Sequence, residues 1–161
     1  MTNIIIAISI LATYTLCLCV ANKKIPSSLS ASVFWLPPSG SWLWTVAIGA
    51  VAYLTMPALI LKTPESYQFL GFISCAALAV VAACPLIPNK GDMAYKVHTV
   101  AAIVCAVCSQ IIVAISCWWL LLLWIPWIFV FVWVTKDHVW RTQTFWAEMT
   151  CFIISFIYVL I

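Results

Sequence analysis

The chain has 161 residues, of which 66% are hydrophobic and 7% charged, with a formal net charge of +3; its mean hydropathy is +1.18. A soluble domain carries roughly 25% charged residues to cover its surface, so this composition excludes a soluble globular fold and points to an integral membrane protein. The small positive charge gives no footprint for a nucleic acid, and the length suits one helical bundle with no separate soluble domain.

A helix needs about 20 predominantly apolar residues to cross a bilayer. The first such run is 4–21. Its lysines, Lys23 and Lys24, follow the apolar stretch instead of preceding it, and no Ala-x-Ala site lies ahead of them. This predicts a retained helix and not a cleaved signal. The connection 22–41, NKKIPSSLSASVFWLPPSGS, is punctuated by Pro26, Pro37, Pro38 and Gly40. It predicts either an interfacial segment anchored by Phe34 and Trp35 or a lid over a cavity at that end, because long connections in compact chains are often functional.

Runs 42–61 and 67–87 follow. The next run, 95–134, would make a helix of about 60 Å, roughly twice the hydrocarbon thickness. It therefore reads as two helices, 95–115 and 117–134, joined by a tight turn near Ile115, Ser116 and Cys117. The last run is 142–161. The prediction is an all-α, polytopic bundle of six transmembrane helices forming one domain over 1–161. Pro57, Pro85 and Pro126 fall inside or at the ends of spans, where they should kink the helix and free carbonyls that neighbours must satisfy.

Charge tests the threading. With six spans, the loops after the first, third and fifth helices hold Lys23, Lys24, Lys90, Lys96, Lys136 and Arg141, against Lys62 on the other side. The positive-inside rule then places both termini outside and the stretch TKDHVWR in the cytoplasm. The expected location is a cytoplasmic or inner membrane. The lipid bilayer is a partner, and association into a homo-oligomer or a larger membrane complex stays open. Of the ten tryptophans, Trp118 and Trp119 at the outer turn, with Trp42, Trp133 and Trp140 on the cytoplasmic side, fit aromatic belts.

Helical spacing suggests where the interior lies. Arg141, Thr144, Glu148, Cys151, Ser155 and Tyr158 share one face of the last helix, leaving Phe152, Ile153 and Ile157 for lipid. His98, Ala101, Ala102, Cys105, Cys108 and Ser109 form a similar face on the fourth. Ser9, Thr13 and Cys17 do so on the first, as do Thr45, Gly49 and Ala52 on the second. The eight cysteines lie almost wholly in apolar runs and read as small hydrophobes; Cys105 and Cys108 have the CxxC spacing of redox and metal sites, but near the middle of a span.

Glu148 stands apart. An ionisable side chain within a span is costly and a functional candidate by default; it must give up its charge or find a partner, and His98 is the expected one. Glu148, His98, Arg141, Thr144 and Ser155 are thus the functional polar candidates, and Trp124, Trp127 and Tyr158 the candidates for walling an apolar ligand pocket. The leading reading is a bundle that binds or translocates a small apolar or ionic ligand; no cofactor is required. One alternative is a structural or assembly subunit of a larger complex. Another is a metal-dependent hydrolase, with Asp92, His98, Asp137, His138 and Glu148 holding an ion at the cytoplasmic mouth. That set resembles the membrane hydrolase superfamily of alkaline ceramidases and adiponectin-type receptors, whose members use three histidines, an aspartate and a serine near one membrane face. This chain has two histidines and no HxxxH spacing, so whether it is an enzyme is left open.

Overall fold

The computed structural model describes residues 1–22, 25–30, 38–87, 92–134 and 142–161. The helices are α1 (Thr2–Asn22), α2 (Pro38–Lys62), α3 (Gln68–Ala83), α4 (Asp92–Cys117), α5 (Trp124–Val134) and α6 (Gln143–Leu160). Turns of 3-10 helix occupy Glu65–Tyr67, Cys84–Leu86 and Trp118–Leu123. Among the described residues there is no strand, as expected of backbone that must satisfy its own hydrogen bonds in hydrocarbon. Among the described residues, five helical stretches are long and apolar enough to cross a membrane: Thr2–Ala21, Ser41–Lys62, Glu65–Leu86, Asp92–Phe129 and Gln143–Leu160. Helix α2 starts at Pro38, ahead of the expected position 42, because proline suits a first helical turn where no N–H is needed.

The stretch Asp92–Phe129 is not one straight rod. Cys117 has φ −148° and ψ 58°, which is not helical, and the six residues after it wind as 3-10 helix. Trp124 Nε1 then donates to Gln110 Oε1 at 2.9 Å across 14 positions. A straight helix would hold those residues about 21 Å apart, so the chain doubles back. Pro126 falls in the first turn of α5, where its missing N–H costs no helical bond.

Contacts fix the directions of the helices. Thr45 Oγ1 at the start of α2 donates to Ala82 O at the end of α3, 2.7 Å away, so α2 and α3 are antiparallel. Gly71 brings them close: a Cβ there would lie 3.4 Å from Ile60 Cγ1, an approach that small residues permit in membranes. Ser74 Oγ donates to Cys105 O at 3.1 Å while His98 pairs with Val81, so α3 and α4 are antiparallel too. Helices α4 and α6 run the same way. Gln110 Nε2 donates to Cys151 Sγ at 3.3 Å, and one turn further Ile112 and Val113 share a core cluster with Ile154 and Tyr158.

Two helix faces differ from expectation. Helix α1 buries Ile4, Ala7, Leu11, Tyr14 and Leu18, with Tyr14 edge-on to Trp44 at 5.5 Å, and leaves Ser9, Thr13 and Cys17 exposed. A helical hydroxyl can satisfy itself on the preceding turn, as Ser9 Oγ does by donating to Ile5 O at 2.9 Å, so weak polarity does not force a face inward. On α6, Phe152 was expected against lipid but packs on the core and stacks on Phe156 at 6.0 Å. Ile157 also packs inward against Tyr158 and its neighbours, while Ile153 faces out. Thr144 is exposed, in the first turn of α6.

Candidate functional site

Helices α2, α3, α4 and α6 leave a slot of about 110 Å³ between them, and Leu29 and Ser30 line one end of it. Its wall on α6 runs from Glu148 to Val159, about 16 Å at 1.5 Å per residue. The slot is therefore long and narrow. Most of its lining is apolar, including Ile48, Val51, Leu78, Ala102 and Phe156, with hydroxyls from Thr55, Ser74, Ser109 and Ser155 set among them.

The end of the slot near Val81 is organised by a missing hydrogen. In an α-helix the Val81 carbonyl would accept from the N–H four positions on, but that position is Pro85, which has none. Helix α3 ends there in a 3-10 turn. Two other helices supply the donors: His98 Nδ1 lies 3.1 Å from Val81 O, and Trp44 Nε1 donates to it at 3.4 Å. Because a carbonyl only accepts, the imidazole carries its proton on Nδ1. His98 is 4% exposed, and its ring sits 6.4 Å from that of Trp44. The expectation that a proline would free a carbonyl for its neighbours holds at Pro85.

Glu148 lies at the slot's end beside the segment Ile25–Ser30. The Leu29 N–H donates to Glu148 Oε2 at 2.7 Å, at the short end of the N–H···O range. A second tie joins the same elements: the Phe145 N–H, in the first turn of α6, donates to Ser27 O at 3.1 Å. Pro26, Ser28, Leu29 and Ser30 are buried. The connection expected to be a linker or a lid is thus, over its described part, a cap seated on α6. Glu148's partner is this backbone amide, where a side chain, His98, was expected.

The other candidates divide cleanly. His98, Glu148 and Ser155 share the slot's wall with Cys105 and Ser109. Trp124, Trp127 and Tyr158 are not on that wall and do other work. Trp124 holds Gln110 and packs edge-on with Trp127 at 5.6 Å. Tyr158 donates from its hydroxyl to Lys62 O at 3.0 Å, with Lys62 Nζ 5.9 Å from its ring centre. Asp92 is exposed at the start of α4, and among the described residues no group of three or more His, Cys, Asp or Glu side chains is placed to hold a metal ion. Asp137, His138 and Arg141, with Lys23, Lys24, Lys90, Lys136, Phe34, Trp35 and Trp140, lie outside the described residues. All eight cysteines are free thiols. Cys105 faces the slot, and its CxxC partner Cys108 is off the slot's wall.

Sequence reasoning missed Trp44, Thr55 and Ser74, which complete the wall. Thr55 and Ser74 are hydroxyls in the middle of otherwise apolar spans, a signal the sequence does carry. Trp44 could not be separated from a belt tryptophan by pattern alone. Compared with family models, with curated proteins and with solved structures, the chain matches none.

Proposed function

We propose that this protein is a six-span membrane bundle that binds a small ligand or ion in the slot between α2, α3, α4 and α6, and admits it by moving the segment Ile25–Ser30. The observation that carries the reading is the Glu148 carboxylate, set at the slot's capped end and tied to the cap by Leu29 N–H at 2.7 Å. An intramembrane carboxylate is expensive to keep, and one joined to a connecting segment gives an opening step something to break. Thermal-shift screening of small molecules in micelles tests it, comparing the wild type with Ala106→Leu, which fills the slot from α4. Compounds should raise the melting temperature of the wild type by several degrees and leave Ala106→Leu unmoved. If nothing distinguishes the two proteins, the reading fails, and a stoichiometric partner co-purifying from native membrane would turn it toward an assembly subunit. Ion or proton flux in proteoliposomes, lost in Glu148→Gln, would separate translocation from binding alone.

The six-span threading is part of the same proposal. Its support is that α4 and α6 point the same way and that Trp124 turns back onto Gln110, so the chain between them has to recross the bundle. The Lys/Arg bias then sets the Glu148 end in the cytoplasm and both termini outside. Epitope tags at the two ends should become accessible from one and the same face of sealed vesicles. Five crossings would expose them on opposite faces. A metal-dependent hydrolase at the same mouth would need Asp137 and His138 to join His98 and Glu148; metal content lost in His98→Ala is the observation that would favour it.

A further inference from the structure

The hydroxyls on the helical walls of the slot are alike in what they offer a ligand. Below the cap, each hydroxyl on its wall gives its single proton to a backbone carbonyl. Thr55 Oγ1 donates to Val51 O at 2.8 Å, Ser74 Oγ to Cys105 O at 3.1 Å, Ser109 Oγ to Ala106 O at 2.9 Å and Ser155 Oγ to Cys151 O at 2.9 Å. A hydroxyl has one hydrogen and two lone pairs, so what these four offer the slot is acceptors. The stronger N–H donors are engaged in the same way: the indole of Trp44 and Nδ1 of His98 meet Val81 O, and the amide of Leu29 meets Glu148. The thiols of Cys75, Cys105 and Cys151 are weak donors. Among the described residues the acidic side chain on the wall is Glu148; it stands at the capped end, with a second carboxylate oxygen and further lone pairs beyond the bond to Leu29.

Burying a polar group without a hydrogen bond costs several times what the bond itself contributes. A carboxylate, a phosphate or a ketone would bring only acceptors to a wall of acceptors. A cationic N–H donor would meet a carboxylate at one end, and the rest of a slot about 16 Å long, with apolar lining and hydroxyls already bonded to the backbone, suits a single extended chain. We propose that the ligand of this slot is a single-chain amphiphile with a protonated amine head, seated with the amine at Glu148 and its tail running toward Ser109 and Ser155. The proposal rests on the reading of the slot as a binding site and names the chemistry that site selects.

Three probes of matched length test it: n-hexylamine, n-hexanol and hexanoate, titrated against protein in neutral micelles and followed by thermal shift or calorimetry. Hexylamine should bind saturably, hexanol at least tenfold more weakly, and hexanoate not at all. Glu148→Gln should weaken hexylamine about 10- to 100-fold, the range for loss of a hydrogen bond to a charged group, and leave hexanol as it was, which also certifies that the variant is folded. Ala106→Leu should abolish both. If hexanol or hexanoate binds as tightly as the amine, or Glu148→Gln leaves the amine's affinity unchanged, the assignment of ligand class is wrong although the slot still binds. If none of the three binds, this proposal falls, and the broader screen above decides separately whether the slot binds anything.

Discussion

Replacing Glu148 with alanine will raise the hydrogen-exchange rate of the Ile25–Ser30 backbone by about 10- to 100-fold. The Leu29 N–H has a carboxylate as its described partner, at 2.7 Å, and a bond to a charged group contributes roughly 1.5–3 kcal/mol, each 1.4 kcal/mol being a factor of ten in opening. The cap will not be lost outright, because Phe145 N–H still donates to Ser27 O at 3.1 Å. Glu148→Gln keeps an acceptor of the same reach but removes the charge; its exchange should rise about tenfold at most, between wild type and alanine. Mass-spectrometric exchange in micelles reads the segment directly. Equal protection in all three proteins would show that the cap is held by packing and that Glu148 is no latch.

The second large effect concerns Val81. His98→Leu should destabilise the bundle by about 2–3 kcal/mol, since it removes a buried ring and leaves the Val81 carbonyl with the longer 3.4 Å bond from Trp44. In a Pro85→Ala background the same substitution should cost about 1 kcal/mol less, because an alanine at that position brings the N–H that the helix lacks there. Residues sharing one partner couple in this way, by roughly 0.5–3 kcal/mol. The check is a double-mutant cycle of denaturant unfolding in micelles. Additivity within about 0.5 kcal/mol would mean that His98 is held by its apolar surroundings and that the proline is incidental.

What could be read from the sequence, and what could not, follows from the forces involved. Span positions are legible because hydrocarbon thickness sets helix length, and a break near Ser116 was expected for the same reason; the structure has it at Cys117. Glu148 was legible because charge in a span is rare, and the inward face of α4 because His98, Ala102, Cys105 and Ser109 are small or polar among large apolar neighbours. The partner of Glu148 was not legible, since every residue but proline has an N–H and nothing in the letters marks the one at Leu29. The face of α1 failed for a different reason: in lipid both faces of a helix are apolar, and the burial of Tyr14 against Trp44 is decided by shape. Tyr158 misled because its hydroxyl finds a backbone oxygen, Lys62 O, at the far end of the bundle, a use of tyrosine that spacing does not announce.

The bond from Leu29 to Glu148 joins positions 119 apart in the chain. Translation makes the cap 119 residues before its fastening, so a nascent bundle has to wait, open at one mouth, until α6 arrives. A chain that stops short of α6 lacks one wall of the slot and both fastenings of the cap, and shows the proteolytic machinery of the cell a loose segment that the finished protein has tucked away. Closure of the mouth in this molecule waits on the synthesis of α6.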